Sequence, residues 1–210
     1  MKKILLLVVS TLIHLSGCTQ TKDTASKSDR PVGALCDGCD QMYEDMPANL
    51  SWETRIGPIN EPGETLVIRG TIYKPDGKTP APDVVLYVYH TDNQGIYAPS
   101  PGQTAGKRHG HLRGWMKTDA LGQYQFTTIR PAAYPSRKAP QHIHAIVKEK
   151  GLSLYWIDEY LFDDDVLLAK ENQGLLENRG GTGIIHLAKN KKGEWVGLRN
   201  IVLGLNIPNY

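Results

Sequence analysis

The chain has 210 residues, with 24 basic and 22 acidic side chains and a formal charge of +2. Loss of Lys2 and Lys3 with an N-terminal leader would make these numbers equal, and a neutral domain gives no support for nucleic-acid binding. Residues 34–210 suffice for one domain with a sizeable core, and the sequence marks neither an internal repeat nor a second domain boundary.

The chain begins with a segment typical of export. Two lysines precede an apolar run that is shorter than the roughly 20 residues of a transmembrane helix, and residues 15–18 read Leu-Ser-Gly-Cys. This ending resembles the bacterial lipobox. The resemblance implies a signal peptide at residues 1–17, a lipid on Cys18, and an envelope protein, periplasmic or at the cell surface, that contacts the membrane only through that lipid. An ordinary secretory peptide with an incidental cysteine is the alternative.

The segment after Cys18 is small and polar. Residues 18–33 therefore predict a tether without a core of its own. Cys36 and Cys39 follow in a C-x-x-C spacing. Outside the cytoplasm this spacing favours a local structural disulfide, since a redox pair would be expected at a helix start after a strand and a zinc site would need two further ligands.

Short runs of alternating apolar and polar residues, separated by turn sequences such as Pro75-Asp-Gly77, predict an all-β sandwich. Asp163 to Glu177 is the one short helical segment expected, because its opening aspartates suit a helix N-terminus. The predicted strands are 66–73, 84–90, 113–117, 123–128, 142–148, 154–162, 183–188 and 195–203.

Two alternating histidines in one predicted strand indicate a metal site. His142 and His144 would point to the same face, while Ile143 and Ala145 face the core. Tyr134 lies close by in the sequence. Two histidines in an H-x-H pattern are by themselves more often structural than metal ligands. A tyrosine beside them would add a phenolate, which is a hard anionic donor that favours ferric iron. Ferrous oxygenases, in contrast, usually use two histidines and a carboxylate.

Four sequence blocks around these residues resemble the intradiol ring-cleavage dioxygenases, over roughly residues 64–170. The blocks occur in the family's order: Gly95-Ile-Tyr97, Thr118-Asp-Ala-Leu-Gly-Gln-Tyr-Gln-Phe-Thr-Thr-Ile-Arg-Pro131, Tyr134-Pro135 and Pro140-Gln-His-Ile-His144. The resemblance implies an intradiol-type β-sandwich that holds one mononuclear Fe(III). It places the four ligands at Tyr97, Tyr134, His142 and His144.

The same resemblance implies the reaction. A catecholic substrate and O2 would react to give a muconate-type diacid, with cleavage between the two hydroxylated carbons. Tyr134 would be displaced from the metal by the substrate and act as an internal base, so it is both a predicted ligand and a predicted catalytic residue.

The chain departs from the family at one functional position. The family commonly has an arginine three residues before the first histidine, where it stabilises charge on the substrate, and this chain has Ala139. Arg137 is the predicted catalytic replacement, with Lys138 as a second candidate. The short connection from Tyr134 to His142 predicts an open site that accepts substituted catechols, of which electron-rich ones should react best.

The other histidines have less specific interpretations. His109 and His111 lie in a basic, glycine-containing loop that either borders the active-site mouth or is a solvated surface loop. His90 and His186 are expected to be structural.

Two classes of function follow. One is a lipid-anchored intradiol dioxygenase, and the other is a non-catalytic lipid-anchored β-sandwich that binds a ligand or a partner.

Overall fold

The computed structural model describes residues 29–136, 138–168 and 176–210. The predicted signal peptide, Cys18 and Arg137 lie outside the described residues. Two 3-10 helices, Cys39–Tyr43 and Lys107–His109, accompany the strands of the described part. These strands are β1 (Glu53–Arg55), β2 (Thr65–Tyr73), β3 (Val85–His90), β4 (Arg113–Lys117), β5 (Gln123–Ile129), β6 (His142–Lys148), β7 (Tyr155–Phe162), β8 (Ile184–Ile185), β9 (Leu187–Lys189), β10 (Trp195–Leu198) and β11 (Ile201–Val202).

The strands form two sheets packed face to face. One sheet has the order β1-β5-β2-β10-β9, with β11 also paired to β2, and the other has the order β4-β3-β6-β7-β8. Alternate side chains of β2 and β5, such as Ile68 and Phe126, pack in the same core as Val88 of β3 and Val147 of β6. The predicted all-β sandwich is confirmed, because period-two alternation leaves one apolar face on each sheet to be buried.

The helix predicted over Asp163 to Glu177 is wrong for its described residues. Residues 163–168 form turns, and residues 176 and 177 are not helical. The aspartates that suggested a helix start bind elsewhere. Asp164 pairs with Arg130 at 2.7 Å, and Asp165 accepts hydrogen bonds from the backbone N–H groups of Gln141 and Leu167. Tertiary contacts have therefore replaced the expected helix cap.

Two predicted strands are each interrupted. The first divides at His186 into β8 and β9, which belong to different sheets. The second divides at Arg199, whose side chain turns into the core and donates to the Asp158 carbonyl at 2.7 Å. The structure also contains β1, which was not predicted and pairs in parallel with β5.

The predicted tether ends earlier than expected. The Arg30 N–H donates to Gly151 at 2.9 Å, and the Arg30 carbonyl accepts from Ser153 at 2.9 Å. Val32 is buried in the core. Residues 29–33 are therefore part of the folded domain, because the edge of the sandwich beside residues 151–153 supplies backbone partners for them.

The N-terminal segment covers part of the outer face of the five-stranded sheet. Cys36 and Cys39 form a disulfide, and Met42 is buried in a second apolar cluster with Tyr87 and Ile146. Trp115 donates its indole N–H to the Met42 carbonyl at 2.7 Å. Within the residues that the structure describes, no helix is long and apolar enough to cross a bilayer.

Candidate metal centre and substrate pocket

The two histidines of β6 lie on the outer face of the five-stranded sheet. Ile143 and Ala145 point into the core between the sheets, as the sequence predicts. His142 and His144 therefore project to the opposite face, and their ring centroids are 4.7 Å apart. One strand thus supplies two imidazoles to one place on the surface of the sandwich.

The two tyrosines come from loops that are tied together. Tyr97 lies in the loop after β3, and Tyr134 lies in the loop after β5. Thr91, just after β3, donates its hydroxyl to the Ala132 carbonyl at 2.7 Å, and the Ala132 N–H donates to the Asp92 carbonyl at 3.1 Å. These bonds join the loop that carries Tyr97 to the loop that carries Tyr134, at residues that precede each tyrosine in the sequence.

The four predicted ligands converge. The Tyr97 and Tyr134 hydroxyls are 2.9 Å apart, Tyr134 Oη lies 3.0 Å from His142 Nε2, and Tyr97 Oη lies 2.9 Å from His144 Nε2. Ligand atoms about 2 Å from a common ion lie roughly 3 Å from their neighbours, so this spacing fits a shared metal. Among the described residues, no group of three or more His, Cys, Asp or Glu side chains could hold a metal instead.

The second ring nitrogens of the histidines have partners that favour this arrangement. His142 Nδ1 lies 2.8 Å from the Pro140 carbonyl, and His144 Nδ1 lies 3.4 Å from Glu159 Oε1. A proton on each Nδ1 leaves the Nε2 lone pairs free to face the tyrosine hydroxyls, as metal-ligating histidines require. Burial lowers the pKa of His142, and the neighbouring His144 contributes, so the neutral ligand form of His142 is favoured.

Burial has the opposite effect on the phenol of Tyr97. It raises the pKa of Tyr97 above its usual value, and the hydrogen bond with Tyr134 adds to the shift. The phenol is therefore neutral in the metal-free protein. A phenolate at this position needs a cation of high charge beside it.

The histidine loop packs behind this centre. His109 is buried, stacks on Tyr89 with ring centroids 3.6 Å apart, and lies 2.8 Å from the Tyr87 hydroxyl. Tyr89 stacks in turn on His144 at 4.5 Å. The solvated-loop interpretation is therefore wrong for His109, which supports a predicted ligand through Tyr89. The sequence patterns did not identify Tyr89, because the sequence of a strand does not show which side chains of the neighbouring strand will lie beside it.

His90, His111 and His186 lie outside the donor set. His90 is buried between the Thr91 carbonyl and the Thr128 hydroxyl, which confirms its structural role. His111 bonds to the Ala98 carbonyl and to Glu61, on the chain segment just after Tyr97. His186 is exposed and lies 2.9 Å from Asp163.

A pocket of about 400 Å3 opens beside the donor set. Tyr134, His142 and His144 line one side of it, and Leu161, Leu167, Leu168 and Leu176 supply an apolar side. The volume falls within the range of small-molecule sites. Tyr134 faces this space whereas Tyr97 does not line it, so the two phenols differ in their access to a ligand.

Glu159 is a pocket residue that the sequence patterns missed. It lies on β7, next to β6, and its side chain lines the pocket beside His144. Burial acts to raise the pKa of Glu159, but the contact with His144 outweighs it and lowers the pKa to about 2. A glutamate side chain that keeps 40% of its surface exposed is ionised at neutral pH in the ordinary way, so Glu159 is a carboxylate there. Two acidic residues, Asp158 and Glu159, within an otherwise apolar strand were the available signal.

The position of the missing family arginine also faces the pocket. Ala139 and Lys138 both line it, and the Lys138 side chain is exposed. The predicted role of Arg137 lies outside the described residues. Lys138 is therefore the candidate replacement for the family's arginine whose position at the pocket the structure describes.

Fold and site together define a β-sandwich with two tyrosines and two histidines gathered at a pocket on one sheet face. A family model described as "Dioxygenase" matches residues 44–172, more than half of the chain. The chain belongs to the intradiol ring-cleavage dioxygenase family.

Curated relatives resemble the chain over part of their length. Catechol 1,2-dioxygenase 1 of Acinetobacter lwoffii is 35% identical over 98 residues, which cover 46% of this chain and 30% of that protein. The protocatechuate 3,4-dioxygenase beta chain of Burkholderia cepacia is 29% identical over 114 residues, which cover 51% of this chain and 48% of that protein. The matches thus span less than half of these relatives.

Solved structures share the fold. The dioxygenase domain of a dioxygenase and carbohydrate-binding protein fusion from Streptomyces sp. SirexAA-E superposes with a TM-score of 0.56 at 19% identity, over 75% of this chain and 91% of that chain. 3-Chlorocatechol 1,2-dioxygenase of Rhodococcus opacus 1CP gives 0.56 at 22% identity, over 73% of this chain and 65% of that chain. Identities this low support the fold alone.

Proposed function

We propose that Tyr97, Tyr134, His142 and His144 bind one ferric ion and that the protein cleaves catecholic rings between the two hydroxylated carbons with O2. The observation that carries this proposal is the convergence of four donor atoms, each about 3 Å from the next, beside a pocket. Family membership supports it. Two anionic oxygen donors and two imidazoles suit a ferric ion better than a ferrous one.

The bound ion would activate the catechol ring for reaction with O2, and the chain's residues would prepare that step. Tyr134 lines the pocket, so its phenolate oxygen is placed to accept a proton from an entering catechol hydroxyl. Tyr97 does not line the pocket, which suits a ligand that stays in place. The leucine side of the pocket would exclude water from the ring.

The substrate class follows from the pocket. Ala139 lines the pocket with a single methyl group where the family commonly has an arginine, which leaves room for substituents on the ring. Without the family's arginine, charge that develops on the ring would be stabilised mainly by the metal, so electron-rich catechols should react fastest.

The function is tested by the product. Iron-loaded protein supplied with catechol and O2 is expected to give the diacid, with both oxygen atoms incorporated and no added reductant. Because cleavage beside the diol gives an aldehyde-acid of the same composition, proton NMR is the deciding measurement. An aldehyde signal would contradict the intradiol assignment, and a protein that neither bound iron nor consumed O2 would favour the non-catalytic binding function.

We also propose that the protein is exported and lipidated on Cys18, with residues 19–28 as a tether. The charged and apolar leader ending in Leu-Ser-Gly-Cys supports this. Cys18→Ser is expected to move the protein from the detergent phase to the aqueous phase in a phase-partition assay. If mature protein of that variant, from which the apolar leader has been removed, still entered the detergent phase as efficiently as wild type, lipidation of Cys18 would be wrong.

A further inference from the structure

Glu159 places a carboxylate in the substrate pocket. Its Oε1 lies 3.4 Å from His144 Nδ1, and its side chain, which is 40% exposed, belongs to a residue that lines the pocket. A histidine that binds a metal through Nε2 is a neutral ligand. His144 would therefore bring no positive charge to Glu159, and in the catechol complex the ferric charge would be balanced by the Tyr97 phenolate and the catecholate dianion.

The other described lining residues offer little to balance the charge of Glu159. Leu161, Leu167, Leu168 and Leu176 are apolar, and Ala139 stands where the family usually has a cation. Lys138 is the one basic side chain among the described lining residues, and it is exposed at the rim. An exposed ammonium on a flexible chain is screened by water and salt far more than a half-buried carboxylate is.

We propose that Glu159 determines specificity: the pocket accepts catechols whose substituents are uncharged and rejects those that carry a carboxylate. This inference rests on the proposed function. Because Tyr134, His142 and His144 line the same pocket as Glu159, a ring bound at the donor set through its two oxygens would place its substituent in that pocket. A carboxylate there would approach the Glu159 carboxylate in partly desolvated surroundings, whereas an uncharged group would contact the leucines.

Glu159→Gln separates charge from position. The glutamine side chain has nearly the same shape, and its carbonyl oxygen can still accept a hydrogen bond from His144 Nδ1. The variant thus removes the charge and keeps the orientation of the histidine. Lys138→Gln is the matched control, because it removes the other described charge of the same pocket.

The experiment compares two ligands of nearly equal shape, 3,4-dihydroxybenzoate and 3,4-dihydroxybenzamide. The full chain, loaded with ferric iron, is titrated with each ligand without O2, and binding is followed by the catecholate-to-iron absorption band. Wild type is expected to bind the amide roughly tenfold more tightly than the acid. In Glu159→Gln the two affinities should agree within about threefold, whereas Lys138→Gln should keep or widen the wild-type difference.

The outcomes separate the inference from the proposed function. Equal affinities in wild type, or a tenfold preference that persists in Glu159→Gln, would overturn the role of Glu159 while leaving the metal site intact. Loss of the preference in Lys138→Gln alone would assign selectivity to that residue and also overturn the inference. If wild type bound no iron or gave no catecholate band with either ligand, the proposed function itself would be wrong. The wild-type comparison requires no variant to fold.

Discussion

Tyr134→Phe and His142→Ala are each expected to weaken ferric binding by more than about hundredfold, so that purified variants lose their iron and their colour. Loss of groups that only support metal ligands already costs roughly ten- to hundredfold in metal affinity, and a lost ligand should cost more. Tyr97→Phe and His144→Ala should behave in the same way. The measurements are iron per protein and the visible tyrosinate-to-iron absorption.

Tyr89→Phe is the matched control for these variants. Tyr89 stacks on His144 with ring centroids 4.5 Å apart, yet its hydroxyl is not one of the four converging donor atoms. The phenylalanine keeps the ring and its stacking, so iron content should match wild type. Full iron occupancy and unchanged colour in both Tyr134→Phe and His142→Ala would show that the donor set has been assigned wrongly.

Local pattern was sufficient to place the histidine pair. In β6, alternation alone puts Ile143 in the core and His142 and His144 on the opposite face, whichever strands are its neighbours. The convergence of the tyrosines could not be derived in this way, because it depends on two loops that meet through Thr91 and Ala132. The family's motif order carried that part of the prediction.

The position of Glu159 in the pocket could be predicted neither from the alternation of apolar and polar residues nor from the family's motifs. Its place beside His144 depends on the pairing of β7 with β6, where the register shifts between Ile143 and Ala145. A shift of one residue in a strand exchanges its two faces, so the side that Glu159 occupies could not be known before the pairing was seen.

The predicted helix over Asp163 to Glu177 failed for a related reason. Three successive aspartates are a good local signal for a helix start, but Asp164 and Asp165 bind Arg130 and the Gln141 backbone, which lie more than twenty residues earlier in the chain. These contacts hold the segment after β7 against the connection that leads to His142. The local helix propensity of this segment was therefore outweighed by tertiary contacts that also position residues of the pocket.

The glycine of the Gly95-Ile-Tyr97 block explains how the tyrosine loops approach one another. Gly95 has a φ of 81°, and a Cβ added there would lie 2.2 Å from the Ala133 carbonyl oxygen. Ala133 directly precedes Tyr134. Only a residue without a side chain allows the loop that carries Tyr97 to approach the loop that carries Tyr134 this closely.

Gly95→Ala is therefore expected to lower iron affinity by about tenfold or more and to destabilise the fold by roughly 1–3 kcal/mol from backbone strain, with further loss from the overlap. Gly77→Ala separates the two causes. Gly77 has a similar φ of 67°, but nothing lies within 4 Å of its added Cβ. That variant should lose only about 1 kcal/mol of stability and keep its iron. Metal titration and thermal unfolding of both variants measure the difference. If Gly95→Ala bound iron as tightly as Gly77→Ala, close contact of the loops would not be what holds Tyr97 and Tyr134 together.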